Sequence, residues 1–150
     1  MKLVFVRNNQ IFGRLIRWAT RSEWDHVAIW DDETLECWEA VGSRGVLHHF
    51  DWWPSPKDMQ VCTIEAEGLN ELRPRIREFL NSQVGKGYDW LAITRFLTRR
   101  MRPYDASEKR WFCSELAAAA FAVVGIDLLR RRSTFPPPCS MPLRCCGSGR

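Results

Sequence analysis

The fold is set by residues 24–50, which have the sequence WDHVAIWDDETLECWEAVGSRGVLHHF. Apolar residues dominate Asp25 to Trp30 and recur along Thr34 to Val41, so both segments are predicted to be β-strands, joined by the turn Asp31-Asp32-Glu33. The glycines of Gly42-Ser43-Arg44-Gly45 predict a second turn, and Val46 to Phe50 a third short strand. The stretch therefore predicts an antiparallel meander.

Further elements are predicted on both sides of this meander. A helix is predicted before the meander, with one apolar face, formed by Ile11, Leu15 and Trp18, and one basic face, formed by Arg14, Arg17 and Arg21. Trp18 and Trp38 are both expected in the core. The predicted strands are Leu3 to Val6 and Gln60 to Glu65, and the predicted helices are Gln10 to Arg21, Leu69 to Gly85, Trp90 to Arg100 and Phe112 to Val124. Clustered antiparallel strands with helices on either side predict an α+β fold.

Length and composition indicate one globular domain. The chain has 150 residues, 45% of them hydrophobic and 27% charged, and a formal net charge of +4. We assign residues 1–143 to a single domain and expect 144–150 to be a disordered, basic Cys/Gly tail. No apolar run is long enough to span a membrane and no signal peptide is evident, so the expected location at synthesis is the cytoplasm, with the six cysteines reduced.

Cys113 is the candidate nucleophile. It lies in the first turn of the Ala-rich helix, where backbone amides carry partial positive charge and favour a thiolate. A thiolate nucleophile needs an imidazole partner and a third group that orients the ring. Of the three histidines, His26 lies within an apolar strand, whereas His48 and His49 flank a loop where one of the two should face solvent. His26 is therefore the candidate base.

The orienting acid is not fixed by the residues alone. Asp25 fails because adjacent strand residues point to opposite faces. Across the predicted hairpin, Glu36 and Glu39 have opposite parity, so only one of them can face His26, and periodicity does not choose between them.

Four ordered segments resemble the circularly permuted papain-like cysteine hydrolases. These segments are Trp24 to Trp30, Glu39-Ala40, Gly85-Lys86-Gly87-Tyr88-Asp89-Trp90 and Trp111-Phe112-Cys113-Ser114-Glu115-Leu116. The superfamily includes YiiX/YaeF-like proteins and short phage-encoded members, and is akin to NlpC-type peptidases and lecithin retinol acyltransferase. The similarity covers about residues 3 to 143. One departure is Asp25, where relatives often carry Ser.

The resemblance implies roles for individual residues. It places the nucleophile on Cys113, the base on His26 and the orienting group on Glu39. It implies a circularly permuted papain-like fold and a thiol hydrolase of amide or ester bonds, acting on peptidoglycan peptides or lipids through an acyl-enzyme. An acyltransferase would use the same site with another acceptor, and a non-catalytic binding module would keep only the fold. The chemistry requires no metal and no organic cofactor.

Several residues are candidates for substrate contact. Tyr88 is a candidate oxyanion donor or pocket wall, or else an ordinary Tyr after a glycine turn. Trp52 and Trp53 could form a rim for an acyl chain, a sugar or a membrane surface, although packing under the Pro-rich loop is favoured slightly. The arginines at 95, 99, 100 and 102 come without interleaved exposed aromatics or a known binding motif, so nucleic-acid binding is not expected. Peripheral contact with cell wall or membrane is compatible with this sequence.

Overall fold

A computed structural model of the chain describes residues 1–7, 11–50, 59–63, 68–91, 109–128 and 144–145. These residues form helices and a mainly antiparallel sheet, which confirms the predicted α+β class. The helices are α1 (Ile11–Thr20), α2 (Leu69–Gln83) and α3 (Cys113–Ala122). The strands are β1 (Lys2–Val6), β2 (His26–Asp31), β3 (Glu36–Val41), β4 (Gly45–Phe50), β5 (Met59–Thr63), β6 (Gly87–Tyr88), β7 (Arg110–Trp111) and β8 (Arg144–Cys145).

The main sheet contains six strands in the order β4-β3-β2-β1-β5-β8, each antiparallel to its neighbours. The predicted meander is present as β2, β3 and β4, with Ala28 opposite Glu39. Arg144 and Cys145, the first two residues of the segment predicted to be a tail, pair with Thr63 and Cys62 at the edge of the sheet. Backbone pairing of this kind satisfies an otherwise open strand edge, which composition does not reveal.

One face of the sheet packs against α2 and α3. Alternate residues of β2 and β3, among them Ile29 and Trp38, enter this core together with Leu116 and Phe121 of α3. Trp38 is fully buried, as predicted, and its Nε1 donates a hydrogen bond to Asn81 Oδ1 of α2 at 2.8 Å. This hydrogen bond satisfies the indole N–H inside the core.

Helix α1 is oriented differently from the prediction. Ile11, Leu15 and Trp18 are 82%, 45% and 70% exposed, so the expectation that Trp18 belongs to the core is wrong. The inward side instead carries the buried Gly13 and the half-buried Ile16. Helical spacing separates an apolar face from a polar one, but it does not determine which of the two faces the protein.

An ion-pair cluster fixes α2 to the end of β2. Asp31, predicted as a turn residue, ends β2 and is fully buried, with its carboxylate 2.7 Å from Arg73 Nη1 and 2.9 Å from Arg77 Nη1. The two guanidinium groups compensate the buried charge, so we assign this cluster a structural role.

A close backbone approach brings the segment after α2 against β4. Val46 N–H donates to Lys86 O at 2.8 Å and Gly85 N–H donates to Val46 O at 3.0 Å. Gly45 has φ of 78°, and a Cβ placed on it would lie 2.2 Å from Lys86 O, so only glycine fits there. The contact leads directly into β6, which pairs in parallel with β7 and carries Tyr88.

Other predicted features lie outside the described residues. These are Trp52, Trp53 and the Pro-rich loop at 54–56, the part of the predicted helix Trp90 to Arg100 beyond Leu91, and Cys139 and Cys146. In the part of the chain that the structure describes, no helix is long and apolar enough to cross a bilayer.

Candidate active site

Cys113 is the first residue of α3 and follows Phe112, whose backbone is extended. Its side chain lies at the positive end of the helix and the residue is 4% exposed. Glu115 strengthens this helix start, because its Oε2 accepts a hydrogen bond from Phe112 N–H at 3.3 Å. The thiol is therefore held at a fixed, nearly enclosed point beside the core.

His26 is the first residue of β2, and Glu39 lies on the neighbouring strand β3. Since Ala28 is opposite Glu39, His26 and Glu39 are diagonal neighbours on one face of the sheet. His26 Nε2 is 2.7 Å from Glu39 Oε2. A carboxylate at this distance fixes the plane of the imidazole ring, and with Nε2 so engaged the ring presents Nδ1 to any other partner.

His26 also interacts with Cys113. Burial by itself lowers the pKa of His26, but the polar interactions with Cys113 and Glu39 and the negative charge on both partners raise it to about 10. Burial raises the pKa of Glu39, but the hydrogen bond from His26 and the positive charge of His26 and His49 lower it overall. The structure thus brings together the three residues to which the sequence assigned catalytic roles.

Glu36 occupies a different environment on the same strand. Its Oε1 is 3.1 Å from His48 Nε2, and its Oε2 accepts a hydrogen bond from Thr34 Oγ1 at 2.6 Å. His48 in turn stacks on Trp38, with ring centroids 4.8 Å apart. Of the two acids that the sequence left open, Glu39 is therefore the one that meets His26, and Glu36 lies on the opposite face.

His49 is a member of the cluster that sequence reasoning missed. Its Nε2 is 3.0 Å from Glu39 Oε1, so the Glu39 carboxylate lies between two imidazole rings. Both His48 and His49 have partly buried side chains, so the expectation that one of them faces solvent is wrong. The strand register explains this contact: His49 is opposite Cys37, and Cys37 and Glu39 lie on the same face of β3.

Tyr88 closes another side of the site. Tyr88 interacts with Cys113, and its ring packs against Trp90 and Phe112, with centroid distances of 5.0 and 5.6 Å. Burial raises the pKa of Tyr88, and the negative charge of Cys113 raises it further. The phenol therefore keeps its proton and is available as a hydrogen-bond donor beside the sulfur.

Asp25, the departure from the family pattern, is buried rather than directed to solvent. Its Oδ2 pairs with Nη1 of Arg17, a half-buried side chain of α1. Its backbone N–H donates to Val6 O at 3.2 Å. Asp25 thus links α1 to the start of β2, directly before His26.

The described residues contain no group of three or more His, Cys, Asp or Glu side chains that could hold a metal ion. The cluster around Cys113 instead combines one thiol, one phenol and an imidazole held by a carboxylate. This set of groups can generate a nucleophile, shuttle a proton and donate hydrogen bonds.

Among solved structures, the fold is similar to the crystal structure of the metalloprotein yiiX from Escherichia coli O157:H7, DUF1105. The TM-score is 0.60 and the sequence identity 20%, and the match covers 85% of this chain and 67% of the other. No protein-family model and no curated protein matches the chain. At this identity the likeness concerns the fold, and it confirms a YiiX-like α+β architecture for the chain.

Proposed function

We propose that the protein is a thiol-dependent hydrolase that cleaves an amide or ester bond through an acyl-enzyme on Cys113, within a circularly permuted papain-like arrangement. The observation that carries this proposal is the position of His26, whose ring is 2.7 Å from Glu39 Oε2 and also interacts with Cys113 at the start of α3. Nucleophile, base and orienting acid are the minimum set for covalent acyl transfer.

In the proposed reaction the Cys113 thiolate attacks the acyl carbonyl and forms a tetrahedral intermediate. Protonated His26 donates its proton to the leaving amine or alcohol as the bond breaks, which leaves the acyl group on sulfur. Neutral His26 then removes a proton from water, and the resulting hydroxide attacks the thioester. The acid leaves, and the thiolate and imidazolium are restored. Glu39 stabilises the imidazolium in both half-reactions.

The oxyanion of each tetrahedral intermediate needs donors close to the sulfur. The backbone N–H of Cys113 at the start of α3 is one, and the Tyr88 hydroxyl is the second that we assign, since the phenol keeps its proton and interacts with Cys113. An acyltransferase would share every step up to the acyl-enzyme and would differ only in the acceptor. A binding module without activity would have no need for this combination of groups.

The similar E. coli structure is named a metalloprotein. Because the described residues of this chain offer no cluster suited to a metal ion, no step of the proposed reaction passes through one. The substrate classes that we propose remain peptidoglycan peptides and acyl lipids.

The test is acyl-enzyme formation with a panel of thioester, ester and amide probes that carry either fatty acyl chains or cell-wall peptides. Rapid quenching and mass spectrometry should locate the acyl group on Cys113, and Cys113→Ala should abolish both labelling and turnover. Cys37 provides the matched control, because it is also a buried free cysteine, and burial and then the charge of Glu39 raise its pKa. Unchanged turnover in Cys113→Ala, or acylation at Cys37, would contradict the proposal.

A further inference from the structure

Helix α1 presents three large apolar side chains to solvent. Ile11, Leu15 and Trp18 follow the spacing i, i+4, i+7, so they form one stripe along the helix, and all three are exposed. The side that faces the protein carries the small Gly13 and the half-buried Ile16. A surface helix of a globular protein typically turns its apolar stripe to the core, whereas this stripe is exposed.

Arginines border the stripe. At 100° per residue, Arg14 lies about 60° from Ile11, on the same side of the helix as Trp18. Arg21 directly follows the last residue of α1, with φ of 55°. Both are exposed, and neither has an acidic partner within the described part of the chain. An apolar stripe with tryptophan and neighbouring arginines is typical of helices that lie in the interface of a lipid bilayer.

We propose that α1 is a membrane-docking helix that binds the surface of a bilayer containing anionic lipids. Ile11, Leu15 and Trp18 enter the boundary between headgroups and acyl chains, and Arg14 and Arg21 bind the lipid phosphates. A ten-residue helix is about 15 Å long, too short to span a bilayer, so it lies in the plane of the surface.

Charge favours this partner over a second copy of the chain. In a two-fold symmetric dimer through α1, the exposed arginines of one copy would face those of the other, which is unfavourable. An anionic surface instead pairs with these arginines, and the net charge of +4 adds to the attraction.

Docking through α1 would also bring the membrane near the candidate site. Arg17, on the half-buried side of the same helix, pairs with Asp25, and Asp25 directly precedes His26. If the proposed hydrolase activity is correct, this proximity favours acyl lipids as substrates. Binding of α1 to the bilayer does not itself depend on that activity.

The experiment is co-sedimentation with vesicles of phosphatidylcholine alone and of phosphatidylcholine mixed with phosphatidylglycerol. Wild type should bind the anionic vesicles, and added salt should weaken binding. Trp18→Glu should reduce partitioning at least about tenfold, and Arg14→Gln and Arg21→Gln about fivefold each. Val84→Glu is the matched control, because Val84 is 44% exposed just after α2, and it should bind like wild type.

Two outcomes would overturn the proposal. One is equal binding to neutral and anionic vesicles, or equal binding by Trp18→Glu and Val84→Glu. The other is a dimer in the absence of lipid that Trp18→Glu dissociates, which would identify a second copy as the partner. Thermal melts show whether each variant folds, and Ile11→Glu repeats the test at the most exposed position of the stripe. Loss of vesicle binding with acyl-probe turnover intact would separate docking from the proposed activity.

Discussion

Replacing Glu39 by Gln removes the negative charge beside His26 while keeping an acceptor of nearly the same shape. The carboxylate lies 2.7 Å from His26 Nε2, and an amide oxygen there can still accept the ring N–H. Two unit charges about 4 Å apart attract by roughly 4 kcal/mol at an effective dielectric constant of 20. Because a neutral hydrogen bond of about 1 kcal/mol remains, we expect a loss of about 3 kcal/mol and a fall of roughly 10²-fold in kcat/KM.

The control for this substitution is Glu36→Gln. Glu36 has the same residue type, lies on the same strand and also contacts an imidazole, with His48 Nε2 at 3.1 Å, but on the opposite face. Turnover of the acyl probe that labels the enzyme best should fall in Glu39→Gln and stay within about twofold of wild type in Glu36→Gln, with thermal melts measured for both. Equal losses in the two folded variants would refute the assignment of Glu39 as the orienting group.

Three further predictions follow from the geometry. Tyr88→Phe removes the hydroxyl beside Cys113 but keeps the ring contacts. We therefore expect kcat to fall about 10–100-fold with little change in Tm. An unchanged kcat would show that Tyr88 is not an oxyanion donor. Gly45→Ala should lower the free energy of unfolding, measured in urea, by roughly 3 kcal/mol, because a Cβ at Gly45 would lie 2.2 Å from the carbonyl oxygen of Lys86. Gly85→Ala is the control and should cost about 1 kcal/mol, because Gly85 also has positive φ but a Cβ there would meet open space. The pKa of His26 rises from 6.5 to about 10 on folding, so protonation of His26 stabilises the fold fully below pH 6.5. This stabilisation is lost as the pH rises toward 10, and Tm should therefore fall across that interval. The fall should be less steep in Cys113→Ala, because Cys113 contributes to the raised pKa.

The sequence predicted the parts of the fold that depend on local pattern. The apolar segments of β2 and β3, the helical spacing in α2 and the Ala-rich run of α3 placed these elements within a few residues of their observed ends. The pairing of Arg144 and Cys145 with β5 was missed, because two residues carry no periodic signal and the contact is distant along the chain. The exposure of the apolar face of α1 was missed because helical periodicity does not show which face of a helix is buried. The spacing of Trp18 is the same whether this face packs on the core or faces solvent.

Site residues on the strands could be predicted in part, because alternate strand residues point to opposite faces of the sheet. Parity excluded one of Glu36 and Glu39, and the family resemblance selected Glu39, the acid that lies beside His26 in the structure. Parity would also have placed His49 on the face of Glu39, but only with the register of β3 and β4 in hand. Tyr88 of β6 approaches Cys113 at the start of α3. These segments are distant along the chain, and local sequence patterns do not predict that they lie close together.

If His26 and the start of α3 make Cys113 a nucleophile, Cys113 should be the cysteine that reacts fastest with limiting iodoacetamide at neutral pH in the folded protein. Peptide mass spectrometry should show Cys113 modified first, Cys37 unreactive, and the rate at Cys113 reduced at least about tenfold in His26→Asn. Preferential modification of other cysteines while Cys113 stays inert, or an unchanged rate at Cys113 in folded His26→Asn, would contradict the account.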